Sequence, residues 1–278
     1  MIDYHIHTYH SIDAEGTIND YCERAIQLGL NEICITNHCE LDPARNDSWI
    51  RFENNKQPMT KEGLKTLEDD VMKAKEVYKK AGLIVKFGLE VGYYEGIEAR
   101  LQEILHAVNF DFLLGSIHCL NHICIDSSKE HPLYFTHHTA LELLSNYFFA
   151  IEKLITSKFF DSIGHIDVYK KYGLGFYGDQ IQNFSKEIIK KIFKLMSEYD
   201  IALEINTAGL RHVGEFYPSP TMMRCAQEQG LKFITIGSDS HKIADLGKGI
   251  KEAIEYVKSF GFEAVYGFDK RKPVKIKI

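Results

Sequence analysis

Residues 2–36 read IDYHIHTYHSIDAEGTINDYCERAIQLGLNEICIT. Ile2 to His7 reads as a strand, Thr17 to Leu28 as a helix closed by Gly29, and Glu32 to Thr36 as a second strand. The same alternation runs on to the end of the chain. A charged helix from Thr60 to Lys80 is ended by Gly82, and strands follow at Ile84 to Val91, Phe110 to His118, Asp161 to Ile166, Ala202 to Asn206 and Phe233 to Gly237. Helices are expected near 97–107, 137–156, 184–199, 219–229 and 245–258, with Glu263 to Tyr266 as one last strand. Strands alternating with helices, and no low-complexity linker between them, predict an α/β fold in which helices wrap a parallel sheet. Seven or eight such units favour a closed TIM-like barrel over an open sheet, distorted or short of one unit, and residues 1–278 are expected to form one domain. No G-x-G-x-x-G turn follows the first strand, which removes the main prompt for a dinucleotide fold.

The composition is that of an ordinary globular protein. Apolar residues make up 45% of the 278 and charged ones 26%, which excludes disordered and collagen-like classes. Lys and Arg total 33 against 39 Asp and Glu, a net charge of −6, so no general field draws nucleic acid and no nucleic-acid partner is expected. The one basic cluster (Lys270, Arg271, Lys272, Lys275, Lys277) reads as a solvated C-terminal tail. No basic N-terminal segment leads into an apolar run, and no stretch approaches the length of a membrane span, so a cytoplasmic protein is expected. The six Cys (22, 34, 39, 119, 124, 225) form no C-x-x-C pair and are expected as reduced thiols.

In a parallel barrel the loops that leave the C-terminal ends of the strands converge on one rim. What each strand runs into is therefore the informative question. The first runs into His5 and His7, with Asp13 shortly after; the second into Asn37-His38; the third into Gly88-Leu89-Glu90. The remaining four end at Ser116-Ile117-His118, Gly164-His165-Ile166-Asp167, Glu204-Ile205-Asn206 and Ser238-Asp239-Ser240-His241. His5 and His7 share one face of their strand because side chains alternate with period two, and Asp239 and His241 repeat that geometry. Scattered surface histidines would have no reason to choose strand ends. A four-coordinate catalytic zinc takes three protein ligands plus water. The nine donors His5, His7, Asp13, His38, Glu90, His118, His165, Asp239 and His241 therefore imply two or three divalent ions, with Zn, Fe and Mn all compatible. Such a cluster is a hydrolytic device, and a dianionic phosphate ester is the substrate class that fits it best.

These segments resemble the polymerase-and-histidinol-phosphatase (PHP) metal-dependent phosphoesterases. The resemblance rests on Asp3-Tyr4-His5-Ile6-His7-Thr8, Ile35-Thr36-Asn37-His38, Gly88-Leu89-Glu90-Val91, Gly115-Ser116-Ile117-His118, Gly164-His165-Ile166-Asp167 and Gly237-Ser238-Asp239-Ser240-His241. Residues 204–211 (EINTAGLR) and Tyr217-Pro218-Ser219 look like the histidinol-phosphate phosphatase branch. The resemblance implies a distorted (β/α)7 barrel with a trinuclear centre at the C-terminal ends of the strands. It implies one ion on His5, His7, Glu90 and Asp239, a second reached by Glu90 and held by His118 and His165, and a third on Asp13, His38 and His241. Asp13 stands where relatives have histidine, which tilts that position toward harder ions. Asn37 stands where Asp is common.

The activity expected is hydrolysis of L-histidinol phosphate, a small-molecule ester, by a metal-bridging hydroxide attacking phosphorus in line. The alternatives are another small phosphomonoester, or a 3′–5′ exonuclease activity that the net charge disfavours. Asp239, Glu90 and His118 are the residues expected to act in catalysis, with leaving-group protonation from Asp239 or a neighbouring acid. Arg211 is the expected phosphate clamp, since a guanidinium fork matches phosphate geometry. Lys170 and Lys171 are either further phosphate contacts or part of a solvated loop. The polar segment from Cys39 to Met59, with Arg45, Trp49 and Arg51, is expected as a lid-like loop without structure of its own, Trp49 packing it onto the barrel. His122 and His212 sit on rim loops within reach of substrate; His10, His106, His131, His137 and His138 do not end strands.

Overall fold

The computed structural model describes residues 1–52 and 55–278. Seven parallel strands form the barrel: β1 (Ile2–Ile6), β2 (Glu32–Ile35), β3 (Ile84–Gly92), β4 (Phe112–Ser116), β5 (Ser162–Ile163), β6 (Ala202–Asn206) and β7 (Ile234–Gly237). They are hydrogen-bonded in chain order, each parallel to the next. The seam between β7 and β1 is nearly closed past the end of the regular ladder: His7 N donates to Ser240 O at 2.9 Å and Ser240 N to His5 O at 3.3 Å. Asp3 Oδ1 accepts from Ser238 N at 2.8 Å. This is a distorted (β/α)7 barrel. Among the described residues no helix is long and apolar enough to cross a membrane.

Local chemistry accounts for the element ends. The first helix (Ile18–Leu28) starts at a capping box, in which Thr17 and Asp20 satisfy each other's backbone N–H, and stops at Gly29 with φ +70°. The strand expected over 161–166 is cut to two residues. His165 N turns away from the ladder to the Glu204 carboxylate at 2.8 Å, with His165 at φ +21°. A two-residue strand, His38–Cys39, continues past β2 and pairs with β3 opposite Glu90, setting His38 beside that carboxylate. The core is apolar and aromatic, with Tyr4 and Phe112 packed inside the barrel at 5.2 Å between ring centres and Phe87 buried on the outer face of β3.

Two expectations need correction. The basic C-terminal segment is not a solvated tail: Ala264–Asp269 and Lys272–Lys277 form an antiparallel hairpin across the N-terminal mouth. Phe268 packs against Phe112 with ring centres 5.0 Å apart, and Arg271 donates to the Asp161 carboxylate and to Phe159 O. The last strand therefore exists but stays outside the parallel sheet, because its apolar face covers the barrel floor. The segment from Cys39 to Met59 has structure of its own: Trp49–Phe52 and Asn55–Pro58 pair as a hairpin, with residues 53 and 54 of the expected loop outside the described residues. Arg51 N bonds His10 O at 2.9 Å, and its side chain donates to Ile12 O and Ala14 O, which anchors the hairpin to the loop after β1.

Candidate metal centre and cavity

The nine donors expected from strand ends meet at the C-terminal mouth. Glu90, buried on β3, is their hub. Its Oε1 lies 3.1 Å from His118 Nε2 and 2.9 Å from His165 Nε2, and accepts from Ser116 Oγ at 2.7 Å. Its Oε2 lies 3.2 Å from His5 Nε2, 3.4 Å from His7 Nε2 and 2.9 Å from His38 Nδ1. Asp239 Oδ1 faces His5 and His7 at 3.6 and 3.5 Å and His241 at 3.5 Å. Asp13, largely exposed, closes the outer edge, 3.5 Å from His38 Nε2 and 3.4 Å from His241 Nε2.

The electrostatics are those of a crowded mixed cluster. Burial opposes ionisation of Glu90, yet His5 and His118 outweigh it and hold the carboxyl well below its usual range. Burial likewise opposes charge on His5, but Glu204, Glu90 and Asp239 together hold the ring well above the usual imidazole range. His7 goes the other way, pushed down by burial and by His38 and His241.

Buried His5 Nε2, His7 Nε2, His38 Nδ1 and Glu90 Oε2 have no hydrogen-bond partner. Orphaned buried polar atoms are rare and costly, and these four converge on one space. Donor atoms of His5, His7 and Glu90, of Glu90, His118 and His165, and of His7, His38 and His241 each lie within 4.8 Å of one another. Imidazole nitrogens and carboxylate oxygens in such triples fit a divalent metal ion. Two donors also sit in left-handed backbone, His165 at φ +21° and Asp239 at φ +51°. Non-glycine residues rarely adopt that region unless their surroundings impose it. Glu204 holds the first through its N–H, and Arg211 Nη2 holds the second by donating to Ser238 O at 2.9 Å and Asp239 O at 3.1 Å.

Several contributors were not in the expected ligand set. Glu204, recognised only as a strand-end carboxylate, stands behind the donors: its Oε1 is 2.6 Å from His5 Nδ1, which fixes Nε2 toward the centre. Glu40 does the same for His118, Oε1 to Nδ1 at 3.0 Å. Its position two residues after His38 was the available signal, the same period-two spacing as His5 and His7. Asn37 accepts from Thr8 N at 2.8 Å and Ser11 Oγ at 3.0 Å, tying the loop after β1 to the strand end.

Gly92 gives Glu40 its room, because a Cβ there would overlap the Glu40 carboxylate. Gly92→Ala is expected to push Glu40 off His118 and weaken retention of divalent ions by about 10–100-fold, the usual cost of losing a carboxylate behind a ligating histidine. Competition with a chromogenic chelator measures it, and unchanged affinity would remove Glu40 from this role.

A cavity of about 670 Å³ opens over the centre. Arg211, Lys171, Asp126, Asp47, Glu130 and Trp49 are among the residues that line it. Lys170 does not take the role expected of it. It is buried, with Nζ 2.7 Å from Glu215 and 3.0 Å from Asp167, so its charge is neutralised inside the protein. Trp49 is 39% exposed and faces the cavity instead of packing its hairpin down. Arg45 latches the same segment across the mouth, donating to Glu130 at 2.7 and 3.1 Å and to His122 O at 2.9 Å. His212 lines the cavity, pushed down to about 4 by burial and by neighbouring Lys171. His122 sits at the edge, its Nδ1 2.5 Å from Asp42.

The PHP domain family model matches residues 3–208. A histidinol-phosphatase of Lactococcus lactis is 26% identical over 99% of this chain and 97% of its own length. A protein named "probable histidinol-phosphatase" from Deinococcus radiodurans is 28% identical over 95% of both chains. Among solved structures, histidinol phosphate phosphatase from Lactococcus lactis, in complex with zinc, L-histidinol and phosphate, shares the fold with a TM-score of 0.79. It is 24% identical, covering 99% of this chain and 98% of its own.

Proposed function

Because this chain belongs to the PHP domain family, we propose that it is a metal-dependent phosphomonoesterase that hydrolyses L-histidinol phosphate to L-histidinol and phosphate. Relatives aligned over nearly their whole length carry that activity in their names, and the neighbour of known structure binds both products. The observation that carries the reading is the His, Asp and Glu donor cluster at the floor of one cavity. The same cavity wall carries Arg211 and Lys171, cations suited to a phosphoryl group, and Asp126 and Trp49, an acid and an aromatic face suited to a cationic leaving group.

In this reading His5, His7, Glu90 and Asp239 hold one ion, His118 and His165 with Glu90 a second, and Asp13, His38 and His241 a third, two or three Zn, Fe or Mn in all. When bound, such ions neutralise phosphoryl charge and lower the pKa of water. The chain supplies the rest. Arg211 uses one nitrogen to hold the Ser238–Asp239 backbone and presents the rest of its fork to the phosphate. Lys171, close to Asp126 and Asp239, adds a second positive charge. Glu204 and Glu40 fix the ring orientations of His5 and His118. Asp239 or a neighbouring acid returns a proton to the departing alkoxide. The Arg45 latch and the Trp49 hairpin narrow the mouth and limit bulk water.

Phosphate release by divalent-metal-loaded protein tests the assignment against a panel of phosphomonoesters. The expected result is a kcat/KM for L-histidinol phosphate at least tenfold above sugar and nucleotide monophosphates, about 1.4 kcal/mol of selectivity. Good turnover of another monoester with none of histidinol phosphate would remove the substrate and leave the chemistry.

A further inference from the structure

Cys119 and Cys124 face each other across the tight hairpin that follows β4. Leu120 and Ile123 close a two-residue turn in which Asn121 and His122 have φ of 49° and 64°. Beyond the pair, Ile125 N donates to His118 O at 2.8 Å. The hydrogen-bonded positions are thus Leu120 with Ile123 and His118 with Ile125, and the two cysteines occupy the non-hydrogen-bonded position between them. There Cα atoms are about 4.5 Å apart, inside the span of about 4.4–6.8 Å that a disulfide requires but at its short end. Neither thiol is in a disulfide. Cys124 Sγ donates to Asp126 Oδ1 at 2.8 Å. Both side chains line the cavity, whereas Cys22, Cys34 and Cys39 are buried and Cys225 lies on the helix Pro220–Glu228.

We propose that Cys119 and Cys124 form a redox-active dithiol in the cavity wall, which a peroxide converts to an intramolecular disulfide. One thiol sulfur attacks a peroxide oxygen; an S–O bond forms, the O–O bond breaks, and the departing oxygen leaves as water with the thiol proton. The resulting sulfenic acid is attacked by the second sulfur, an S–S bond forms, and a second water leaves. Two thiols are oxidised by two electrons in total and one peroxide is reduced to two waters. The hairpin holds the second sulfur in place, so closure outruns further oxidation of the first. A dithiol reductant reopens the product by thiol–disulfide exchange. Cys119 directly follows His118, and oxidation takes the Cys124 S–H away from Asp126, so the state of the pair is communicated to the site. None of this depends on which ester the cavity accepts.

The experiment exposes the full-length protein to hydrogen peroxide and reads intact and peptide mass. The expected result is loss of two hydrogens per chain, confined to the tryptic peptide spanning 101–129, reversed by dithiothreitol and absent in both Cys119→Ser and Cys124→Ser but unchanged in Cys225→Ser. Uptake of oxygen without loss of two hydrogens, or a disulfide that maps elsewhere or survives in either serine variant, would overturn it. Should a serine variant fail to fold by circular dichroism, wild-type protein is titrated with phenylarsine oxide, which needs two neighbouring thiols. One equivalent bound on peptide 101–129 supports the site, and none bound overturns it.

Discussion

Glu90→Gln is expected to yield a folded barrel that loses its divalent ions and, with them, its phosphatase activity. The carboxylate meets five imidazoles and Ser116 at once, so the amide removes the one negative charge common to the inner donors and replaces a carboxylate oxygen with an N–H₂ that cannot ligate a cation. A single donor aimed at developing charge is worth about 10²–10³ in rate, and residues acting as one unit fail together. The expected fall in kcat/KM is therefore on the order of 10³ or more, with metal content falling in parallel. Elemental analysis beside steady-state kinetics checks both; full metal content with activity within tenfold of wild type would dismiss Glu90 as the hub.

Arg211→Ala is expected to behave differently, keeping the metal while losing grip on the phosphate. A guanidinium bonded to an anion contributes more than a neutral pair, and loss of such contacts at about 2–3 kcal/mol corresponds to roughly 10²-fold in kcat/KM. Arg211→Lys keeps the charge without the fork and should recover only part of the loss. Because Arg211 also holds the Ser238 and Asp239 carbonyls, metal content and thermal midpoint must be read alongside. Lost metal would move Arg211 from a phosphate contact to a support for Asp239.

The barrel was legible because a parallel sheet wrapped by helices requires the alternation seen from Ile2 onward, and the cap residues Thr17 and Gly29 mark their helix where a purely local reading puts it. The donor cluster was legible for the same reason: strands laid parallel bring their C-terminal ends to one rim, so position along the chain becomes position around the mouth. The shortened β5 was not legible. Nothing near residue 164 announces that the next N–H will turn to a carboxylate about forty residues further on.

Sequence by itself thus determined the architecture, the rim on which the chemistry sits and the residue types gathered there. Only the tertiary structure decided which charges face the cavity. Lys170 and Lys171 are neighbours on one short helix, yet Glu215 and Asp167 bury the first while the second lines the cavity. Glu90 stands among the imidazoles and Glu204 behind them, although both lie on barrel strands. Cys119 and Cys124 become partners only once the turn at Asn121-His122 folds the chain back on itself. The reason is common to all three: periodicity is a property of neighbouring residues, whereas the pairing of a buried charge or thiol depends on a partner that only the folded chain brings within a few ångströms.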